Sequence, residues 1–410
     1  MQTNLLMKRK ALKVLIIFLL FISTGSAQLD KQSLKEQIDS TVINLKCDVS
    51  VMVVSADKYD VIYSYNPDAK MIPASITKMI TSAAALMKLG KDYFFKTAIF
   101  TDDINIEDGI INGNIYLKGY GDPDFSSSDL RRMTDNLQKL GITSITGNLI
   151  YDESFLDNEY GGLSGIYKSD TDPKYWPYVT ALSINKNNGT KDPAFEVANL
   201  LAGEFVERTI SFNGIVISGT TPSAARELVK NLRPLTNVIT DMNKPSDNQS
   251  AITVFKVLGA ELKSVPGTLE KGAEVISEFL TNIGIDRKSF EILEGSGLSR
   301  YNVVTSGLYI QLLKYLYDQV NIFDDFLYSL AVAGVDGTLK NRMKDTEAQN
   351  NIYAKTGTLN NVSTLAGYAI SRDNELIIFY IAMNNFKGDA YAYRKKQDKI
   401  CEYICQFSRN

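Results

Sequence analysis

The 410-residue chain contains no histidine. That excludes a Ser-His-Asp triad and every imidazole-based metal site, so any serine chemistry needs another proton acceptor, with lysine the obvious one. Cysteine is scarce as well. Cys47, Cys401 and Cys405 are too few, and odd in number, for a disulfide framework even in an oxidising compartment. Cys401 and Cys405 lie four apart on an expected helix and read as packing or surface residues, with no redox or metal role. No Gly-x-x-x-x-Gly-Lys run occurs, so a phosphate-cradling loop of that kind is excluded. Positive charge is not in excess either: 44 Lys and Arg stand against 47 Asp and Glu. A mildly acidic chain is a poor general binder of nucleic acid, which needs a basic face. Nothing in the sequence calls for a metal or a cofactor.

The one long apolar run is at the start. Lys8, Arg9, Lys10 and Lys13 precede the apolar stretch Val14 to Ile22, and Gly25-Ser26-Ala27 supplies small residues. This is the pattern of a secretory signal over residues 1–27. The stretch is short for a membrane span, which needs roughly 20 residues; an uncleaved anchor is the alternative. No cysteine follows it to accept a lipid. Without these four positive charges the chain carries 40 Lys and Arg against 47 Asp and Glu, a net charge of −7. The remaining 383 residues are more than one compact core usually serves, so two or more domains are expected.

Ser33 to Lys46 reads as an amphipathic helix, followed by strands at Asp48 to Ser55 and Val61 to Tyr65. After Pro73-Ala74 a helix is expected from Ser75 to Leu89, with Ile76, Met79, Ile80, Ala83 and Met87 at helical spacing. The other end mirrors this order: strands at Asn351 to Thr356, Ser363 to Ile370 and Glu375 to Met383, then a helix from Tyr391 to Phe407. The economical fold is α/β (α+β), a five-stranded antiparallel sheet built from both chain ends and flanked by helices. Residues 246–345 add an α-rich lobe. Residues 96–232 differ in texture, with short strands at Gly113 to Leu117 and Ile145 to Tyr151, a helix from Ala194 to Val206, and a hairpin from Thr209 to Ile217 turning at Asn213-Gly214. They read as a smaller, mainly-β insertion between two catalytic halves, 28–95 and 233–410.

Chemistry concentrates in Ser75-Ile76-Thr77-Lys78. A hydroxyl and an amine three residues apart share one face of a helix. The start of that helix offers free N–H groups and the positive dipole end to an alkoxide or oxyanion, and burial lowers the pKa of a lysine. Two other Ser-x-x-Lys matches exist, Ser55/Lys58 and Ser183/Lys186. The first closes a strand and the second lies in a polar loop, so neither has this setting. In isolation each such match is a capping serine followed by a solvated lysine. Two more motifs change the balance: Ser246-Asp247-Asn248 opens an apolar helical segment, and Lys355-Thr356-Gly357 sits in a strand. Each alone is bland, a helix cap and a strand ending at glycine. Together, in this order, they form the signature of penicillin-recognising serine acyl enzymes.

With these motifs the chain resembles the class C low-molecular-mass penicillin-binding proteins, the D-alanyl-D-alanine carboxypeptidase/endopeptidases of the penicillin-binding protein 4 type. The resemblance covers nearly the whole chain after residue 27. It includes Pro73-Ala74-Ser75, Gly121-Asp122-Pro123, Met242-Asn243-Lys244, Gly295-Ser296-Gly297-Leu298-Ser299-Arg300, Gly334-Val335-Asp336-Gly337-Thr338-Leu339 and Lys355-Thr356-Gly357-Thr358. The long gap from Ser75 to Ser246 is similar to this family's inserted domains. It implies a transpeptidase/β-lactamase-like domain I carrying a domain II with domain III nested in it.

The resemblance implies roles at matching positions. Ser75 would be the nucleophile toward a D-Ala–D-amino acid bond, and Lys78 its base. Ser246 would relay a proton to the leaving nitrogen, Asn248 would orient Lys78 and the substrate amide, and Lys355 would add positive potential and tune Ser246. Thr356, Gly357 and Thr358 would hold the substrate carboxylate. Asp152 is a candidate for contacting the third residue of the stem peptide, against the simpler reading of a surface strand-end carboxylate. Partners implied are peptidoglycan stem peptides, with β-lactams as inhibitors and at most peripheral membrane association; the location implied is periplasmic, after secretion across the inner membrane. The alternatives are a catalytically silent cell-wall-peptide binder and a β-lactamase. The chain departs from the family at Glu294, where Asp is usual, at Ala331, where Pro is common, and at Gln249-Ser250-Ala251-Ile252 after the Ser-Asp-Asn.

Overall fold

The computed structural model describes residues 28–159, 171–187, 190 and 192–409. The expected secretory segment 1–27 lies outside the described residues. No described helix is long and apolar enough to cross a membrane.

The central sheet is antiparallel throughout. Its strands run, side by side, Ala331–Val332, Ile352–Leu359, Val362–Ile370, Leu376–Asn384, Asp48–Ser55 and Val61–Tyr65. The five expected strands are all present, and the two-residue strand 331–332 is added at one edge. Strand Leu376–Asn384 is buried on both faces, so its alternating side chains serve two layers. Phe379, Ile381 and Met383 pack with Leu34 and Ile38 of helix Lys31–Val42 and with Ile400, Cys401 and Ile404 of helix Ala390–Gln406. Ile378, Tyr380 and Ala382 face the other way, into the core that holds helix Thr77–Lys88 and the α-rich lobe.

That lobe packs helices Leu235–Asn243, Asn248–Leu262 and Leu269–Asn282 around the Thr77–Lys88 helix, while helix Ser306–Asp318 lies against strands Leu376–Asn384 and Asp48–Ser55. The Thr77–Lys88 helix is buried from Thr77 to Leu86, polar face included. Each fully buried Ile, Leu or Met contributes roughly 1.5–3 kcal/mol, so packing rather than helix propensity fixes this element.

The chain between Lys88 and Leu235 forms a second sheet, in the order Arg226–Pro234, Phe94–Thr101, Ile115–Gly119, Leu149–Asp152 and Val216–Ser218. Its first two junctions are antiparallel and its last two parallel. Helices Ser127–Lys139 and Pro193–Glu207 cover it. The first of these went unread in the sequence although Ser126 and Asp129 form a full capping box.

Two expectations are corrected here. Residues 209–217 do not form a hairpin: Ser211–Phe212 pairs in parallel with Ser144–Ile145, and Val216–Ser218 in parallel with Leu149–Asp152. Gly214 serves close approach instead of a hairpin turn, since a Cβ there would stand 2.1 Å from the Gly147 carbonyl oxygen. The run 145–151 is also two strands rather than one, Ser144–Ile145 and Leu149–Asp152, broken at Gly147.

Candidate active site

The chain enters the site through Pro73-Ala74-Ser75. Ala74 takes a left-handed backbone (φ 50°), unusual for a residue with a Cβ, and Ser75 follows in a 3-10 turn ahead of the α-helix that starts at Thr77. Two neighbours hold this turn. Thr364 Oγ1 donates to the Pro73 carbonyl at 2.6 Å. Gly357 presses its backbone against the same turn, where a Cβ would lie 2.6 Å from Pro73 O and 2.1 Å from Thr364 Oγ1. The Lys-Thr-Gly strand is therefore in contact with the residues that aim Ser75.

Lys78 is fully buried one turn inside the helix. Its Nζ donates to Ser75 Oγ (2.9 Å), Asn248 Oδ1 (2.7 Å) and the Ser296 carbonyl (2.7 Å). All three acceptors are neutral. Burial drives its pKa down to about 7, while the more distant charges of Glu294 and Asp247 push it back up. A lysine at that value supplies an unprotonated amine next to a hydroxyl at neutral pH.

The second motif arrives on a helix cap. Asp247 caps helix Asn248–Leu262, its Oδ1 accepting from Ser250 N at 2.6 Å, which delivers Asn248 to Lys78. Ser246 is held in a left-handed backbone (φ 69°), half-buried, with its hydroxyl hydrogen-bonded to no described residue. Lys355 is fully buried too, Nζ donating to the Thr356 carbonyl at 2.9 Å. Burial first, and then the nearby Lys78 charge, hold its pKa well below the usual lysine range. Thr356 Oγ1 meets Thr338 Oγ1 at 2.8 Å, and the exposed Thr358 accepts from Arg394 Nη2 at 3.3 Å.

Several participants escaped the sequence reading. Glu294 is completely buried and accepts from the N–H groups of Ser296 (2.6 Å), Gly297 (2.7 Å) and Ser299 (3.1 Å) and from the Ser296 hydroxyl (2.6 Å). It thereby shapes the loop whose Ser296 carbonyl holds Lys78. Gly297 in that loop is left-handed (φ 82°), and a Cβ would sit 1.9 Å from Ala74 O, so the loop and the Ser75 turn fit only around glycine.

Lys186 is the second surprise. Three consecutive left-handed residues, 185–187, turn it toward the Ser-Asp-Asn segment. There its Nζ reaches Ser250 Oγ (2.7 Å), Asp247 Oδ1 (3.4 Å) and the carboxylate of Asp124. The polar-loop lysine of a discarded motif thus braces a used one. Ser55, from the other discarded match, donates to Glu375 at 2.5 Å.

Asp152 is not brought to this cluster. It is fully buried in the second sheet, with Oδ1 accepting from Ser154 N (3.0 Å) and Oγ (2.6 Å) and Oδ2 accepting from Thr221 N (2.7 Å) and paired with Lys118 (2.9 Å). Those partners hold its carboxyl below the usual range against the opposing effect of burial. Asp122 of Gly121-Asp122-Pro123 is also structural: Arg233 donates to it at 2.9 Å and to Asp129 at 2.7 Å.

The profile of the D-Ala-D-Ala carboxypeptidase 3 (S13) family matches residues 31–190 and 189–406. The chain belongs to this family. A relative is the D-alanyl-D-alanine carboxypeptidase DacB of Haemophilus influenzae, 26% identical over 88% of this chain and 90% of that protein. The D-alanyl-D-alanine carboxypeptidase of Actinomadura sp. (strain R39) is also 26% identical, over 87% and 82%. In three dimensions, the crystal structure of penicillin binding protein 4 from Haemophilus influenzae matches with a TM-score of 0.76 over 88% of this chain and 97% of that one, at 23% identity. The fold of this chain is therefore like that of this penicillin binding protein 4.

Proposed function

We propose that this family member is a serine D-Ala-D-Ala carboxypeptidase, and a D,D-endopeptidase, acting on peptidoglycan stem peptides and trapped by β-lactams. The observation that carries the reading is Lys78: it is fully buried with no described carboxylate in contact to hold its proton, so that as the neutral amine it can keep its two N–H bonds to Asn248 Oδ1 and the Ser296 carbonyl and turn its lone pair to the Ser75 hydroxyl. Ser75 Oγ attacks the penultimate D-Ala carbonyl as its proton passes to Lys78. Backbone N–H groups of Ser75 and Thr358 receive the oxyanion, at roughly 3–4 kcal/mol per donor. The tetrahedral intermediate collapses as Ser246, with Lys355 behind it, relays the proton held by Lys78 to the leaving nitrogen, the C–N bond breaks, and Lys78 is again a neutral amine. Asn248 orients Lys78 and the substrate amide. Water then cleaves the Ser75 ester and regenerates the hydroxyl. Thr356, Gly357 and Thr358 form the edge along which the substrate lies. Asp152, its oxygens already occupied, is assigned to scaffolding in preference to stem-peptide recognition.

Residues 28–95 and 233–410 are read as the catalytic domain and 96–232 as domain II with domain III nested in it. The pairing of Phe94–Thr101 with Arg226–Pro234 supports this, because the chain leaves and returns on adjacent strands. The basic and apolar start of the sequence supports export to the periplasm; the N-terminus of the protein isolated from cells tests it. The function is tested with a fluorescent penicillin and a peptide ending in D-Ala-D-Ala, beside Ser75→Ala. Stable labelling and D-Ala release, both lost in the variant, are expected. Labelling without release indicates a binder, and rapid loss of label a β-lactamase.

A further inference from the structure

We propose that Arg394, on the C-terminal helix, supplies the positive charge that recognises the free α-carboxylate of the leaving D-amino acid. The inference deepens the peptidase reading and rests on it. A carboxylate lying along Thr356 and Thr358 needs a cation, and the lysine of that strand is badly placed to provide one. Lys355 is fully buried, its Nζ is committed to the Thr356 carbonyl, and it lies close enough to Lys78 to feel its charge.

Arg394 has the opposite character. It is half-exposed, and its Nη2 stands 3.3 Å from Thr358 Oγ1. Arg208, Arg233, Arg342 and Arg409 each pair with a carboxylate, whereas Arg394 has none among the described residues. An unpaired guanidinium, charged at any working pH, is thus parked at the hydroxyl that lines the leaving-group end of the site. Thr356 and Thr358 are two apart on one strand and present their side chains on the same face, so hydroxyls and guanidinium form one row of donors.

The position is also prepared from behind. Arg342 donates to the Arg394 carbonyl (3.3 Å) and to Asp398 (2.7 Å), fixing the turn of helix that carries Arg394. Below that turn Ile400, Cys401 and Ile404 are buried against the sheet. The guanidinium can therefore make a charge-assisted bond to an anion without first ordering its backbone.

The test compares kcat/KM for a peptide ending in D-Ala-D-Ala with that for the same peptide bearing a C-terminal carboxamide, in wild type, Arg394→Gln and Arg394→Lys. The acid-over-amide ratio is expected to fall about 10-fold or more in Arg394→Gln, the scale of one charge-assisted bond, and to recover in part in Arg394→Lys. A wild-type ratio retained by Arg394→Gln would overturn the assignment. Thr358→Val, which removes the hydroxyl that holds the guanidinium, is expected to lower the ratio in the same direction, and serves should Arg394→Gln fail to fold. Hydrolysis of neither peptide by the wild type overturns the peptidase reading itself, a result distinct from wild-type turnover with an unchanged ratio.

Discussion

Two clusters of buried charge in this protein are built on opposite rules. Around Arg233 every charge is answered: the guanidinium meets Asp122 at 2.9 Å and Asp129 at 2.7 Å, and donates to the Asp124 carbonyl at 3.0 Å. Around Lys78 the nearest partners are a hydroxyl, an amide oxygen and a backbone carbonyl. The first cluster is scaffolding, because a paired ion in the interior keeps its charge and locks the elements that supply it. The second withholds a counter-ion, and the lysine compensates by becoming easy to deprotonate. The same residue classes therefore give structure or chemistry according to whether the partner is charged.

Predictions that break or sharpen this contrast can be ordered by size. Lys78→Met removes the proposed base, and penicillin acylation followed by stopped-flow fluorescence is expected to fall about 10²–10⁴-fold. Its melting temperature should hold or rise, since an unpaired buried amine is lost. A variant acylated at the wild-type rate would refute the role of Lys78.

Arg233→Met is the converse experiment. It strands Asp122, while Asp129 keeps Arg132 and Ser126, and denaturant unfolding is expected to show a loss of about 3–5 kcal/mol while the folded fraction still labels with penicillin. The pH dependence has a definite sign. Burial raises Asp122 to about 6, above its unfolded value of 3.8, so its contribution favours the fold at low pH and is lost as pH rises through about 6. Without Arg233 the folded value moves higher still. The stability gap between variant and wild type should widen above pH 6 and narrow below it.

A subtler change would convert one cluster toward the other. Asn248→Asp places a carboxylate against Lys78, favouring the ammonium. In wild type, acylation is expected to rise with pH through about 7 as Lys78 loses its proton. In the variant that limb should move alkaline by about one unit, costing about tenfold at pH 7. An unshifted profile would assign the limb to another group. The smallest effect is expected from Lys186→Met, which removes a brace on the Ser-Asp-Asn segment. A half-exposed contact of this kind is worth about 1 kcal/mol or less, and acylation should drop only a few-fold.

Legibility in the sequence followed the range of the interaction. The strand Asp48–Ser55 was readable because Val49, Val51 and Val53 repeat with a two-residue period, Leu376–Asn384 because Leu376 to Met383 is an unbroken apolar run, and Ser75 stood out because an apolar helix follows it. Lys186 was not readable: its reach to Asp247 depends on three left-handed residues in a row, although two of them, Asn185 and Asn187, are a residue type that tolerates that backbone. Glu294 was passed over as a departure from a usual Asp, because a carboxylate that gathers the N–H groups of its own loop leaves no periodic trace. Asn213-Gly214 misled, since the close backbone contact at Gly214 and a tight turn leave the same letters in the sequence.

The central sheet joins the two ends of the chain, with Asp48 opposite Asn384. A ribosome that has made the Ser75 helix, the Ser-Asp-Asn segment and even Lys355 still lacks the strand that joins the Lys-Thr-Gly hairpin to Asp48–Ser55. The serine is written early and the sheet closed last, so a chain truncated before residue 376 carries all three motifs and two separate pieces of sheet with no strand to join them.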